Sequence, residues 1–358
     1  MSMERVERNP FLTYSPRLIF GLGGAGVRVA RMVRESVCSE LFRRIAVNGD
    51  DAEQTQHDLN ALCVFLGIDS EAPEPEIYSP AFAEEPELIL PPPEDFVLLA
   101  SYSGLELIER VKTEPFAHIE RATVPLSEIE GKRSQSEAQQ RRLFGMVNVL
   151  TSISNVARAI DTAVERCYGL EKSPACLRLT ARGLTLNPKL PVIHVFFSSA
   201  GGQGSGAILL VLALLALALE DRTRPRIYVH WLLPGFHLSS GEVEDLNNKL
   251  RTQAVFHDLA AIKSGAEMHI PFPQGDKMLR SRHGRELFDA LFVHEPIGNR
   301  AEAYGNFVRR VSRLVTSLEI GSFARDAARS RSNVPQFDAD QRAERHTINF
   351  EGVRNEGD

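Results

Sequence analysis

The chain has 358 residues, 43% of them hydrophobic, 25% charged and 7% aromatic. At about 100–200 residues per domain this makes one large domain or two modest ones, with enough apolar area for a core without disulfides, and it excludes a small stapled scaffold. Its 41 basic side chains are outnumbered by 47 acidic ones, a net charge of −6, which argues against a surface built to track a polyanion, and nucleic acid is not an expected partner.

Residues 1–16 read as an N-terminal arm without the apolar core of a signal segment, so no export is indicated. The first unit is a strand at 17–21, a glycine turn, and a helix whose apolar positions Ala30, Val33, Val37, Leu41 and Ile45 follow the 3.6-residue period. That phase carries on through Ala46-Val47 to Asn48-Gly49, a good helix C-terminus, so the second strand is expected later, at 61–68. From 69 to 95 the chain holds seven prolines and nine carboxylates with no sustained period, which marks 70–95 as an acidic, Pro-rich insertion.

A strand is expected at 96–102 and one long helix at about 136–167. Further strands fall at 192–197, 226–233 and 287–294, with helices at 205–220, 243–262 and 300–318. Residues 321–358 read as a polar tail. Strands alternating with helices predict an α/β fold, a mostly parallel Rossmann-like sheet with helices on both faces, in one domain over 17–320. The longest apolar run, 207–219, has thirteen residues, short of the roughly twenty of a bilayer span, so it reads as a buried helix and no membrane insertion is expected. Cys38, Cys63, Cys167 and Cys176 lack metal-type spacing and read as reduced thiols of a cytoplasmic protein.

Two glycine clusters sit where a strand hands over to a helix. In Gly21-Leu-Gly23-Gly24-Ala25-Gly26, glycine permits a tight turn and brings backbone N–H groups close to a phosphate, and the helix N-terminus adds its dipole. A GxGxxG turn alone is weak evidence, since a turn of this kind also serves close helix–strand packing. The second cluster, Ser198-Ser199-Ala200-Gly201-Gly202-Gln203-Gly204-Ser205-Gly206, opens the most apolar helix and makes a second anion nest. Two nests in one sheet suggest a polyphosphate gripped from both sides.

A first strand ending in GLGGAG, followed well downstream by a strand, a glycine-rich loop and a long apolar helix, resembles the tubulin/FtsZ superfamily of GTP-binding proteins, and more closely its divergent bacterial tubulin-like group. The resemblance covers roughly 17–318, with the strong matches in the two loops. It implies that Gly23, Gly24, Ala25 and Gly26, together with Ala200, Gly201, Gly202, Gln203, Gly204, Ser205 and Gly206, hold the phosphates of GTP or GDP with Mg2+. Ala200 stands where the signature loop has its first glycine, and Gln203 where it has threonine. The same resemblance implies an aspartate after the second strand, near the phosphates and their magnesium. Asp69 is the preferred match on the periodicity argument, and Asp50 the alternative. It further implies a phosphate contact from Arg142 in Arg141-Arg142-Leu-Phe-Gly145, a sugar-facing segment at 234–259 with Glu242, Glu244, Asn247 and Asn248, and a guanine contact from Tyr304 and Asn306. Each has a plainer reading: a strand-end carboxylate, a solvated arginine pair, an ordinary asparagine on an amphipathic helix.

Other motifs fail. Gly131-Lys132 is followed by Arg133 where a Walker A loop needs Ser or Thr. Neither Ser199 nor Ser205 lies in GxSxG, and the ten histidines include no ligand-spaced pair, so His194 and His230 read as strand residues of the core or sheet surface. Only forty residues follow Leu318, and Asn333-Val-Pro-Gln-Phe-Asp338 only faintly echoes the family's activating loop. The expectation is a GTP-binding protein whose assembly or hydrolysis is weak or dependent on a partner, with self-association or a protein partner. Hydrolysis would be attack of water on the terminal phosphate, with loop amides and magnesium stabilising developing charge. A non-catalytic tubulin-like scaffold and an NAD- or FAD-dependent Rossmann oxidoreductase are the alternatives, the latter because GLGGAG also satisfies the dinucleotide fingerprint.

Overall fold

In the computed structural model the described residues are 13–45, 51–72, 76–78, 87–89, 95–100, 102, 106, 109–110, 142–186, 191–234, 242–263, 268–275, 277–279, 287–296 and 304–320. The chain divides into two compact units, 1–316 and 317–358; of the second, only the helical residues 317–320 are described.

The central strands are runs of β-branched and aromatic residues without polar alternation. β2 (Arg17–Leu22), β3 (Cys63–Asp69) and β8 (Val192–Ser198) are buried at every position, which requires cover on both faces of the sheet. With β6 (Phe96–Leu98), β9 (Arg226–Leu232) and β12 (Ala290–His294) they form a six-stranded sheet of order β12-β9-β8-β2-β3-β6, parallel throughout. The chain therefore builds outward from β2 to one edge, returns to β8 beside β2, and builds outward to the other edge. This is the doubly wound order, and its reversal point lies between β2 and β8.

Helices α1 (Gly23–Arg44) and α6 (Gly202–Ala218) follow these two strands directly. α1 buries Ala30, Val33, Val37 and Leu41, as the period predicts, but ends at Arg44. Ile45 is extended, at φ −87° and ψ 130°, so the helix does not run on to Asn48-Gly49; residues 46–50 lie outside the described set. A second helix, α2 (Ala52–Leu62), then leads straight into β3. α6 is buried on nearly every side.

The helix expected at 136–167 is two. α3 (Arg142–Thr151) and α4 (Ile153–Gly169) are separated at Ser152 and bent by 79°; residues 136–141 are outside the described set. The bend brings α3 against α6 at backbone distance. A Cβ on Gly145 would lie 2.2 Å from the Gly202 carbonyl oxygen, and one on Gly206 would lie 2.1 Å from that of Arg142. No single helix among the described residues is long and apolar enough to cross a membrane, although the bent α3–α4 pair has the length and composition together.

A short helix α5 (Pro174–Ala181) is capped by the Ser173 hydroxyl, which accepts from the Cys176 amide at 3.1 Å. Its Arg178 donates twice to the buried carboxylate of Asp58 on α2, at 2.8 and 2.6 Å. The small parallel pair β1 (Thr13–Tyr14) and β7 (Thr185–Leu186), the antiparallel pair β4 (Glu76–Tyr78) and β5 (Glu87–Ile89) within the acidic insertion, and the hairpin β10 (Met268–Ile270) and β11 (Lys277–Leu279) complete the strands. α7 (Glu242–Lys263) and α8 (Tyr304–Ile320) flank the sheet's last strands in sequence. The four cysteines are free thiols, all buried. The rest of the acidic insertion, most of the N-terminal arm, Gly131-Lys132, 333–338 and the polar tail lie outside the described residues.

Candidate functional site

Ligands of open α/β sheets bind outside the carboxyl ends of the strands at the reversal point, and both glycine clusters meet there. β2 passes into α1 at Gly23, and β8 passes through Ser199 to Gly201 into α6 at Gly202. The N-cap residues Leu22 and Gly201 are both extended. Neither helix has a side-chain cap or an acidic residue in its first turn. The leading N–H groups of both helices are thus spent on no capping side chain, and the positive ends of two helix dipoles converge.

The loops interlock. Gly23 has φ +68°, the left-handed region that favours glycine, and a Cβ there would meet the Gly204 amide nitrogen at 2.8 Å. A Cβ on Gly204 would lie 2.7 Å from the Leu22 carbonyl oxygen, and one on Gly26 2.4 Å from that of Phe196. These three glycines, with Gly206, serve close packing. Gly24 is exposed and has only the Asp69 carboxylate near its Cβ direction, at 3.7 Å. Ala25 and Gly201 are half-buried. The accessible rim of the double turn is Gly24, Ala25 and Gly201.

Asp69 closes β3 beside this rim. Burial pushes its carboxyl up to about 7, although the Ser70 amide donates to it at 2.7 Å. Asp50 lies outside the described residues.

The second loop is braced from α7 by residues that sequence reasoning did not single out. Arg251 donates to the Ala200 carbonyl at 3.0 Å, and the hydroxyls of Thr252 and Ser199 are 3.1 Å apart. The Ala200 amide donates to the Ser198 hydroxyl at 3.1 Å. Ser205 turns its hydroxyl back onto its own helix, donating to the Gly201 carbonyl at 2.6 Å. Gln203 faces α3: its amide nitrogen donates to the Gly145 carbonyl at 3.3 Å, and its amide oxygen accepts from Asn148 at 3.1 Å. Of Gln203, the backbone remains for the loop. No motif signals Arg251, Thr252 or Asn148, because each acts from a neighbouring helix.

Arg142, a quarter exposed, donates to the Ser205 carbonyl at 3.1 Å and pairs with Asp258 on α7. It is tied to the helix behind the second loop. Tyr304 opens α8, with its side chain outside the described set. Asn306 is exposed and accepts from Arg309 at 3.1 Å; no described hydrogen bond joins it to either glycine loop. Of the segment 234–259, the side chains of Glu242, Glu244, Asn247 and Asn248 are outside the described set. Among the described residues no group of three or more His, Cys, Asp or Glu side chains is arranged to hold a metal ion.

Three histidines form a chain under the other half of the sheet. His194 Nδ1 is 3.0 Å from His230 Nε2, and His230 Nδ1 is 3.0 Å from His294 Nε2. All three are buried, and His230 stacks between Phe196 and Phe292 at centroid distances of 4.3 and 5.1 Å. Strand placement follows the sequence reading; the hydrogen-bonded chain depends on register across β8, β9 and β12, which single strands do not reveal.

Fold and site define a doubly wound α/β protein with two glycine turns facing each other at the reversal point. The chain belongs to the tubulin-like family, whose profile, described as "Tubulin like", matches residues 18–304. Among solved structures it is similar to CetZ from Methanosaeta thermophila (12% identity, TM-score 0.37, covering 84% of this chain and 52% of that one). It is also similar to two Haloferax volcanii proteins. CetZ2, described as a GTPgS-bound protofilament, has 14% identity, TM-score 0.35 and coverage of 85% and 59%; CetZ1, described as a GDP-bound monomer, has 15%, 0.35, and 86% and 60%. The chain thus spans 52–60% of the length of these structures. A search of curated proteins returns no significant match.

Proposed function

We propose that this chain binds a guanine nucleotide, GTP or GDP with Mg2+, through its phosphates at the reversal point between β2 and β8. The observation that carries the reading is the convergence of two helix N-termini, neither capped by a side chain nor preceded by an acid, across the Gly23–Gly204 contact. Within the family-implied stretches Gly23 to Gly26 and Gly201 to Gly206, the backbone amides at the accessible rim would supply the anion contacts, which need few lysines. Gly24, Ala25 and Gly201 form the part that a phosphate can reach. Asp69 stands beside Gly24, where a divalent cation bound to the phosphates would meet a carboxylate. Arg142 braces the second loop and, released from Asp258, would reach toward the terminal phosphate; Tyr304 and Asn306 are the family-implied contacts to guanine.

Hydrolysis, in this proposal, is weak or dependent on a partner. Gln203 supports that part, because its amide is engaged with α3 and presents no hydroxyl where the resembled signature has threonine. The relatives described with a bound guanine nucleotide, CetZ1 and CetZ2, and family membership favour guanine nucleotide over a dinucleotide. The test is to denature the purified protein, identify released nucleotide by chromatography, and titrate GTP, ATP and NAD with magnesium. Retained or saturable guanine nucleotide is expected. Tight NAD or FAD without it would restore the oxidoreductase reading, and no nucleotide at all would favour a scaffold.

A further inference from the structure

The polar groups of the second glycine loop are divided between the interior and the rim. The Ser199 N–H donates to the Leu232 carbonyl at 3.3 Å, and the Ala200 N–H to the Ser198 hydroxyl at 3.1 Å. Both amides are spent inside the protein and are not left for an anion. Beyond the turn, Gly202 to Gly206 are buried in the opening of α6. Within 198–206 only Gly201 is half-buried, and its N–H makes no hydrogen bond among the described residues.

The direction of that N–H is set by the peptide it belongs to. In a trans peptide the carbonyl and the following N–H point in opposite directions. Arg251 of α7 donates to the Ala200 carbonyl at 3.0 Å, so the Gly201 N–H faces away from α7. Thr252, the next residue of α7, meets the Ser199 hydroxyl with its own at 3.1 Å, and Ser199 is fully buried. Two successive residues of α7 thus hold two successive residues of the loop. Flipping the Ala200–Gly201 peptide would take the acceptor from Arg251 and set the Gly201 N–H against a guanidinium, which has donors and no acceptor.

We propose that Arg251, braced by Thr252, is a positioning residue of the phosphate site. It selects the one orientation of Ala200–Gly201 in which the Gly201 N–H is presented to a phosphate oxygen, and it acts through that peptide without touching the ligand. This rests on the nucleotide reading above, for which it names the amide of the second loop that meets the anion and the side chain that aims it. The contact is made by backbone and reads no base, so its ligand class is a di- or triphosphate, inorganic pyrophosphate included.

Amide spectroscopy and calorimetry on the full chain test this together. The Gly201 amide resonance, assigned by its loss in Gly201→Ala, is followed without ligand and during titration with magnesium pyrophosphate, and affinities are measured for pyrophosphate and GTP. In the wild type the resonance should move on binding. Arg251→Met should displace it in the ligand-free protein and weaken both ligands alike by about tenfold, the cost of re-ordering one backbone residue on binding. Arg251→Lys, which keeps a cationic donor, should recover most of both effects, and Thr252→Val should show a smaller loss of the same kind. Melting temperatures establish that each variant is folded; where Arg251→Met is not, Thr252→Val carries the same comparison. Wild-type affinity in Arg251→Met, or a ligand-free Gly201 resonance left in place, would overturn the proposal. So would a loss confined to GTP with pyrophosphate unaffected, since Arg251 would then serve the base or sugar. A wild type that binds neither ligand removes the nucleotide reading and this role with it, whereas binding that is intact in every variant removes this role alone.

Discussion

Gly23 and Gly204 touch backbone to backbone: a Cβ on Gly23 would lie 2.8 Å from the Gly204 nitrogen, and Gly23 itself sits at φ +68°. The first turn is therefore locked to the second, and the glycines of these motifs separate into those the packing needs and those a ligand would need. Gly23→Ala forces a left-handed alanine, which costs about 1–2 kcal/mol, and adds the backbone clash. Gly24→Ala meets only the Asp69 carboxylate, at an ordinary contact distance of 3.7 Å, in a helical first turn and leaves the melting temperature unchanged or slightly raised, while placing a methyl where a phosphate would approach. Calorimetric melting with GTP titration distinguishes the two: Gly23→Ala loses stability, and Gly24→Ala loses about tenfold or more in affinity with its fold intact.

Gln203→Thr exchanges a structural role for a hydroxyl. It removes the bonds to Gly145 and Asn148, leaving buried polar groups unmet at a cost of about 1–3 kcal/mol. Turnover of GTP, measured as released phosphate at saturating magnesium, should rise in this variant even as its urea midpoint falls. Unchanged turnover would remove Gln203 as support for the proposed weak hydrolysis.

Asp69 sets a pH dependence. Its carboxyl is pushed up to about 7 by burial, so it is largely protonated below neutrality and becomes an anion as pH rises. Magnesium-dependent nucleotide affinity should increase through pH about 7 and level off above it, because only the anion favours a nearby cation. Asp69→Asn should flatten the profile near its low-pH level, read by calorimetry from pH about 6 to about 8.

The histidine chain makes the fold acid-labile in a defined window. Burial holds His230 well below the ordinary imidazole value, and burial with the charge of Arg310 holds His294 at about 4. The unfolded chain takes up protons near pH 6.5, before the native one does. Stability from these groups is complete above that value and is lost as pH falls towards about 4, by at most about 1.4 kcal/mol per pH unit for each imidazole. His230→Phe should reduce the slope of the urea midpoint against pH in that interval.

The sheet and both glycine turns were legible because they rest on local signals. Val192 to Phe197 is apolar at almost every position, and glycine marks each strand-to-helix turn. Two elements were not. α2 buries Thr55 and Asp58 alongside Leu59 and Leu62, so its inner face reads as polar; Asp58 is satisfied by Arg178 from α5, 120 residues away. The break at Ser152 is hidden because apolar residues continue across it at a spacing of three, from Phe144, Val147 and Leu150 to Ile153 and Val156, with no proline there to mark it, although they belong to helices 79° apart. At the site, the accessible rim and the inward turn of Gln203 depend on neighbours that only the tertiary structure supplies. β3 runs to Asp69, close to the second strand expected at 61–68, although the helical phase used to place that strand stops at Arg44.

α6 has almost no solvent side. Its first residues are the second glycine turn, so that turn cannot shift without drawing a column of leucine, valine and alanine out of the interior. The turn is held in one geometry before any ligand arrives, and little ordering entropy remains to be lost on binding. Adaptation at this position is therefore confined to Gly24, Ala25, Gly201 and the side chains around them. A change of ligand would be written in that narrow border, while the buried glycines answer to the interior alone.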